Sequence, residues 1–206
     1  MPRSRSQERR DAQSAAIRAD IVTAADALMR EHGYVGTSIA AIAENAGVAV
    51  QTIYNAIGSK ADVLAAVLSI AAAHPGGSGR QASVLITQIT GAAGRTAALS
   101  TLAESIAAGN IRAAPIQRVV SEAAGIDPEI RELDLAGAAR SLHAYGDAAG
   151  ALRGRFGLRT GLSDHEAAAA IFALGHPQVF QTLTGLGWST DTYTAWLRAS
   201  LPAVLI

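Results

Sequence analysis

Thr37-Ser38-Ile39-Ala40-Ala41-Ile42-Ala43-Glu44-Asn45-Ala46-Gly47-Val48-Ala49-Val50-Gln51-Thr52-Ile53-Tyr54-Asn55-Ala56-Ile57 decides how the rest of the chain is read. Ile39, Ile42, Ala43 and Ala46 recur at steps of three and four, so they share one face of a short helix for which Thr37 and Ser38 offer hydroxyl N-caps. Gly47 stops that helix, and a second short segment, Val50 to Ile57, follows with Ile53 and Ile57 on its inner side. Two short helices joined by a tight glycine turn form a helix-turn-helix when a third helix braces them. Spacing alone is weak evidence, because Gly-interrupted helix pairs are common in helical proteins.

The flanks supply the brace. Upstream, Ile17, Ile21, Ala25, Leu28 and Met29 lie on one face of a helix that ends at Gly33. Downstream, Gly58 closes the second short helix. Ser59-Lys60-Ala61-Asp62 is then a capping-box-like start, and Val63, Leu64, Val67, Leu68 and Ala71 carry that helix to His74-Pro75. Pro75-Gly76-Gly77-Ser78-Gly79 reads as a linker or a loop. Further helix starts are predicted at Ala114-Pro115, at Asp127-Pro128 and at the capping box Ser163-Asp164-His165-Glu166. Leu133, Leu142, Tyr145, Ala149 and Leu152 belong to one long helix that exits into a loop over 154–161. A helix from Glu166 to about Leu183 is broken at Gly175-His176-Pro177, and a last one runs from Thr190 to the C-terminus. The expected fold is all-α, with about nine helices.

Composition agrees with a helical core and excludes several functions. Half of the 206 residues are apolar but only 4% are aromatic, so the core is built from small aliphatic side chains. The formal net charge is zero, which leaves any DNA affinity to local charge. Arg3, Arg5, Arg9 and Arg10 against Glu8 provide such a patch, read as a disordered basic arm that either binds phosphates or is a plain terminus. With no cysteine, disulfides, thiolate catalysis and Cys-ligated metals are excluded. The longest apolar stretch, Val63 to Ala73, falls short of the ~20 residues of a membrane span. Met1-Pro2-Arg3 leads into polar residues, so a signal peptide is not expected and the cytoplasm is the simplest location.

Specific residues then distinguish this helix pair from an ordinary one. Gly33-Tyr34-Val35-Gly36-Thr37-Ser38-Ile39, Ile42-Ala43-Glu44-Asn45-Ala46-Gly47-Val48, Thr52-Ile53-Tyr54-Asn55 and Gly58-Ser59-Lys60-Ala61-Asp62-Val63-Leu64 closely resemble the N-terminal signature of TetR-family repressors (TetR/AcrR type). The resemblance implies a DNA-binding domain, placed at 1–60, and an effector-binding and dimerisation domain, placed at 61–206. It also implies double-stranded operator DNA, a small-molecule effector of unknown identity and a second copy of the chain as partners. Two positions depart from the family pattern. Ala49 stands where a Ser cap is common, a loss of about 1 kcal/mol of local helix stability, and Ala56-Ile57 stands where His-Phe is common.

Val50, Gln51, Thr52 and Asn55 lie on the early turns of the presumed recognition helix. Gln and Asn can pair with adenine, and Val or Thr methyl groups can touch thymine. Tyr54 can donate its hydroxyl to a phosphate or pack as a half-buried core aromatic. Lys60, near a helix N-terminus, presents charge and free amides to another phosphate. Thr37 and Ser38 either cap alone or also reach phosphate. In the C-terminal part, Asn110, His143, Tyr145, Phe172 and His176 are candidate effector-pocket residues, with Gln181 a further polar residue of an apolar helix. Phe180, Leu183, Tyr193, Trp196 and Leu197 are candidates for a dimer interface or, alternatively, for intramolecular core.

No enzyme machinery stands out. Gly77-Ser78-Gly79-Arg80-Gln81-Ala82 formally fits a dinucleotide fingerprint but lacks the strand that must precede it. There is no G-x-S-x-G elbow and no H-E-x-x-H, and neither cofactor nor metal is expected. The competing reading is a helix-turn-helix that serves only as a protein-interaction module.

Overall fold

In the computed structural model, which describes residues 5–72 and 77–206, every regular element is helical. Side chains are described for 6–71 and 83–206. Ten helices follow one another: α1 (Arg5–Gly36), α2 (Ile39–Asn45), α3 (Val50–Ala56), α4 (Lys60–Ala72), α5 (Gly77–Gly91), α6 (Arg95–Ala124), α7 (Pro128–Phe156), α8 (Asp164–Gly175), α9 (Pro177–Gly185) and α10 (Thr190–Leu205). α8 and α9 are the single pattern that the sequence breaks at His176-Pro177, so the all-α architecture is as expected.

The chain forms two compact units. The first contains the described residues up to Ile70 together with Val119–Leu133; the second contains Ala71–Arg118 and Asp134–Ile206. The first unit therefore extends past residue 60. Val63, Leu64 and Val67 of α4 are fully buried, and their apolar surface holds the helix to that core.

In the first unit α1 packs against both α2 and α3, and α2 packs against α3. Ile21, Val22, Ala25 and Met29 of α1 are buried, as are Ile42 and Ala43 of α2 and Ile53 of α3. Local chemistry sets the breaks between these helices. Gly33 interrupts α1 with φ 72° and ψ 177°, a conformation an L side chain resists, and the chain makes one further turn before Gly36. Gly47, at φ 66°, turns the chain between α2 and α3. At the start of α4 the Asp62 carboxylate accepts from the Ser59 amide (2.8 Å) and hydroxyl (2.9 Å), while Ser59 Oγ accepts from the Asp62 amide (3.2 Å). This is the predicted capping box.

The second unit is organised around α10, which packs on α8 and α9. Tyr193, Leu197, Leu201 and Leu205 of α10 join Leu99, Leu102 and Ile106 of α6, Leu152 of α7, Ile171 of α8 and Phe180 of α9 in one buried cluster. Ser163 caps α8 in a full capping box with Glu166, and Pro128 opens α7, both as predicted.

Two expectations fail. Ala114-Pro115 starts no helix, because α6 runs straight through Pro115. The missing amide costs one backbone bond, but Ile106, Ile116 and Val120 on either side are buried and hold the helix continuous. The basic arm is also not irregular where it is described. Residues 6–10 are the exposed first turns of α1, with Arg3 outside the described residues.

Candidate DNA-binding surface

A seven-residue helix such as α3 is too short to be stable alone, so its neighbours must fix it. Ile53 is its anchor, fully buried, and burying an isoleucine contributes about 1.5–3 kcal/mol. At its C-terminal end, where backbone carbonyls lack partners, Arg18 of α1 reaches across and donates to the Ala56 carbonyl at 2.8 Å. The N-terminal end has no equivalent. Ala49 occupies the cap position with extended backbone (φ −72°, ψ 147°) and makes no side-chain bond, as its methyl group requires.

With Ile53 facing inward, the other side of α3 faces out. Val50, Gln51, Tyr54 and Asn55 are exposed and Thr52 is half-buried. Tyr54 is 50% exposed, which leaves half of its surface outside the fold. Gln51 donates to Asn55 Oδ1 at 3.0 Å, so the two amides are aligned on the exposed face and keep further donors and acceptors. Ser38 is the N-cap of α2 and accepts from the Ala41 amide at 3.1 Å.

Thr37 does not fit its predicted role. It is 1% exposed and donates its hydroxyl to the Gly33 carbonyl at 2.8 Å, which ties off the end of the broken helix instead of capping α2 or facing phosphate. The methyl and hydroxyl of a threonine satisfy that buried corner together.

Lys60 belongs to a cluster that the sequence reading did not assemble. Its ammonium sits over the ring of Tyr34, 4.2 Å from the centroid. The Tyr34 hydroxyl donates to Asp127 Oδ2 at 2.9 Å, and Asp127 Oδ1 accepts from the Glu129 amide at 2.9 Å at the start of α7. Burial, reinforced by the hydrogen bond to Asp127, pushes the Tyr34 hydroxyl well above its ordinary pKa. The hydrogen bond from Tyr34 holds the Asp127 carboxyl below the usual range. Burial lowers Lys60, partly offset by Asp127. Tyr34 and Asp127 are 93 residues apart, and no local pattern links them.

The second unit redistributes the remaining candidates. Asn110 is buried, and its amide donates to the Gly175 carbonyl (3.0 Å) and to the Tyr193 hydroxyl (2.9 Å). It is a satisfied core residue. His143 is exposed on the surface beside Asp147, too far out to line a pocket. His176 caps α9, its Nδ1 accepting from the Gln178 amide at 3.2 Å, and stacks edge-on against Phe172. Tyr145 packs against the core, and burial raises its pKa to about 12. Gln181 donates to the Ala114 carbonyl. None of these side chains lines the cleft that the second unit presents. That cleft, of about 780 Å³, lies between α5 and α6, lined among others by Val84, Gln88, Ala97, Thr101, Glu104 and Arg112.

The proposed dimer residues are also largely committed inside the chain. Phe180, Tyr193 and Leu197 are buried, with the Phe180 and Tyr193 rings edge-to-face at 5.0 Å, and Leu183 and Trp196 are half-buried against the same core. Their apolar surfaces pack in the cluster that α6, α7 and α8 share with them, fully for Tyr193 and Leu197 and in part for Leu183 and Trp196.

Residues 21–67 match the sequence model of the bacterial regulatory proteins of the tetR family. No curated protein sequence matches the chain. Among solved structures, a putative TetR-family transcriptional regulator from Mesorhizobium loti is similar with a TM-score of 0.72 at 22% identity, covering 92% of this chain and 95% of that one. NalD of Pseudomonas aeruginosa, the secondary repressor of the MexAB-OprM multidrug efflux pump, is similar with a TM-score of 0.72 at 20% identity over 94% and 98%. SmeT, solved as a triclosan complex, is similar with a TM-score of 0.65 at 18% identity over 93% and 92%. Residues 21–67 thus carry the sequence pattern of the bacterial regulatory proteins of the tetR family, and the chain has the all-helical fold of the solved TetR-family transcriptional regulators, with an N-terminal helix-turn-helix.

Proposed function

We propose that this protein is a ligand-responsive, cytoplasmic repressor that binds a pseudo-palindromic operator as a homodimer, and that it is a binding protein without catalytic activity. The observation that carries this reading is the exposed face of α3, where Val50, Gln51, Tyr54 and Asn55 stand clear of the fold. In this reading Gln51 and Asn55 read base edges in the major groove, helped by Val50 and Thr52. Ser38, Tyr54 and Lys60 hold the phosphate backbone.

A homodimer doubles these contacts and matches a two-fold operator. Since Phe180, Tyr193 and Leu197 are used internally, the surface that supports dimerisation is the opposite side of the same helices. There α8 exposes Ala169 and Ala173, and α10 exposes Ala195, Ala199 and Ala203 at steps of four. Such small residues allow close helix packing between copies.

The test is a gel shift of the full chain against its own upstream intergenic DNA at several salt concentrations. Binding stronger than to random DNA, weakening steeply as salt rises, is expected; salt-insensitive binding, or none above random DNA, refutes the proposal. Lys60→Ala should weaken binding to all sequences alike, whereas Gln51→Ala should change which sequences are preferred. Uniform losses for both variants would overturn the division between backbone and base contacts.

A further inference from the structure

The cleft between α5 and α6 contains a contradiction that a ligand would resolve. Thr101, Ser105, Ala108 and Arg112 follow one face of α6, and Val84, Leu85, Thr87, Gln88 and Gly91 follow the facing side of α5. At about 780 Å³ the space suits a small organic molecule. Arg112 Nε is buried within the protein and has no hydrogen-bond partner among the described residues. A buried donor left unpaired is costly, and for part of a cation more so. The acidic residue of the same lining, Glu104, is already neutralised by Arg198 at 2.8 Å. The acid therefore has its counter-ion, whereas the Nε donor of the base has no acceptor.

We propose that this cleft binds an amphipathic monocarboxylate, with the carboxylate taken by the Arg112 guanidinium and the apolar part lying along Val84, Leu85, Ala92, Ala97 and Ala108. A planar carboxylate matches the fork of an arginine, and a turn of the guanidinium, whose Nε is closed to solvent as it stands, lets Nε and one terminal nitrogen donate in parallel. A cation has no free acid to meet in the cleft. A phosphate dianion finds a single arginine beside a carboxylate and is poorly neutralised. The neutral hydroxyl of Ser105 adds a donor for the head group without adding charge, whereas that of Thr101 already donates to the Ala97 carbonyl. This assignment deepens the effector-responsive reading above and rests on it for its biological meaning, but the binding itself is testable alone.

The experiment is calorimetric titration of the full-length protein with octanoate, 1-octanol and octylammonium, three probes with one tail and different heads. Octanoate is expected to bind at least about tenfold more tightly than octanol, in line with a charge-assisted hydrogen bond, and octylammonium no better than octanol. Arg112→Met, which keeps the apolar stem, should bring octanoate down to the level of octanol. Ala97→Trp places a large ring in the cleft from an exposed position, so the core is undisturbed and binding of octanoate should be lost. Octylammonium binding as well as octanoate would overturn the assignment, as would an octanoate preference that survives in Arg112→Met. If Arg112→Met does not fold, Ala97→Trp decides, and octanoate binding it as tightly as the parent refutes the site. Operator release is read separately by gel shift. Octanoate that binds through Arg112 without releasing DNA leaves the site standing and counts against the effector-responsive reading, whereas release unaffected by both variants removes the site.

Discussion

Replacing Gly175 with alanine tests how tightly α8 is docked on α6. A Cβ at Gly175 would lie 2.8 Å from Ile106 Cγ2, 3.4 Å from Ile106 Cδ1 and 3.5 Å from the Tyr145 hydroxyl. The first of these atoms cannot swing away cheaply, since Ile106 is branched at Cβ, 5% exposed and surrounded by core. Either its rotamer or the helix separation must change. A helix shift would also pull the Gly175 carbonyl from Asn110, whose amide ties it to the Tyr193 hydroxyl. Overpacking of this kind costs about 1–3 kcal/mol, and the better helix propensity of alanine returns about 0.5–1 kcal/mol, which leaves a net loss of roughly 1–2 kcal/mol. For a chain of this size that corresponds to a fall in Tm of about 2–8 °C. Gly185, at the end of α9, has nothing within 4 Å of an added Cβ, so Gly185→Ala should be neutral or stabilising by about 0.4–1 kcal/mol. Thermal and urea unfolding followed by circular dichroism read both variants. If Gly175→Ala is as stable as Gly185→Ala, the close approach of α6 and α8 is not a constraint and the reasoning is wrong.

Ala49→Ser should stabilise α3, because the backbone at Ala49 (φ −72°, ψ 147°) already matches the capping serines at 163 and 189. The amide of Thr52, which such a cap would bond, now donates to the Ala49 carbonyl at 2.9 Å, so the gain belongs at the low end, about 0.5 kcal/mol; urea unfolding showing no gain, or a loss, refutes it. Alkaline stability is the third case. Burial raises Tyr145 and Tyr193 to about 12 from an ordinary value near 10. The folded state then holds their protons more tightly than the unfolded state, and stability present below about pH 10 is lost as pH rises towards 12. Urea midpoints across that range should fall, less steeply in Tyr145→Phe; a flat profile in the parent protein refutes the linkage.

What the sequence made legible was local. Gly33, Gly47 and Gly58 end helices because their positive φ angles suit glycine, and the serines at 38, 59 and 163 start helices because a hydroxyl reaches an amide three residues on. Chemistry within four residues decides both. What was not legible depends on partners far along the chain. The apolar period of α9 and α10 correctly marks Phe180, Tyr193 and Leu197 for burial, but a period cannot tell whether α6 or a second copy does the burying. Asn110, in an apolar helix, looks like a ligand contact until its two acceptors, 65 and 83 residues away, are seen. Pro115 reads as a helix start because its ring removes a bond, whereas the burial of Ile116 and Val120 beside it outweighs that local signal. Arg112 gives no local signal, because a missing partner is a property of three-dimensional surroundings.

Helix α3 shows the same division within seven residues. Ile53, buried on α1 and α2, and the Ala56 carbonyl, held by Arg18, position α3; Val50, Gln51, Tyr54 and Asn55 have no inward role beyond the Gln51–Asn55 bond. The fold would accept many other residues at those four positions, since exposed substitutions away from such anchors usually change stability by less than about 0.5 kcal/mol. A surface that is rigidly placed yet chemically unconstrained by its own core is what a base-reading element requires. The cost falls on the N-terminal end, where Ala49 leaves α3 without a side-chain cap.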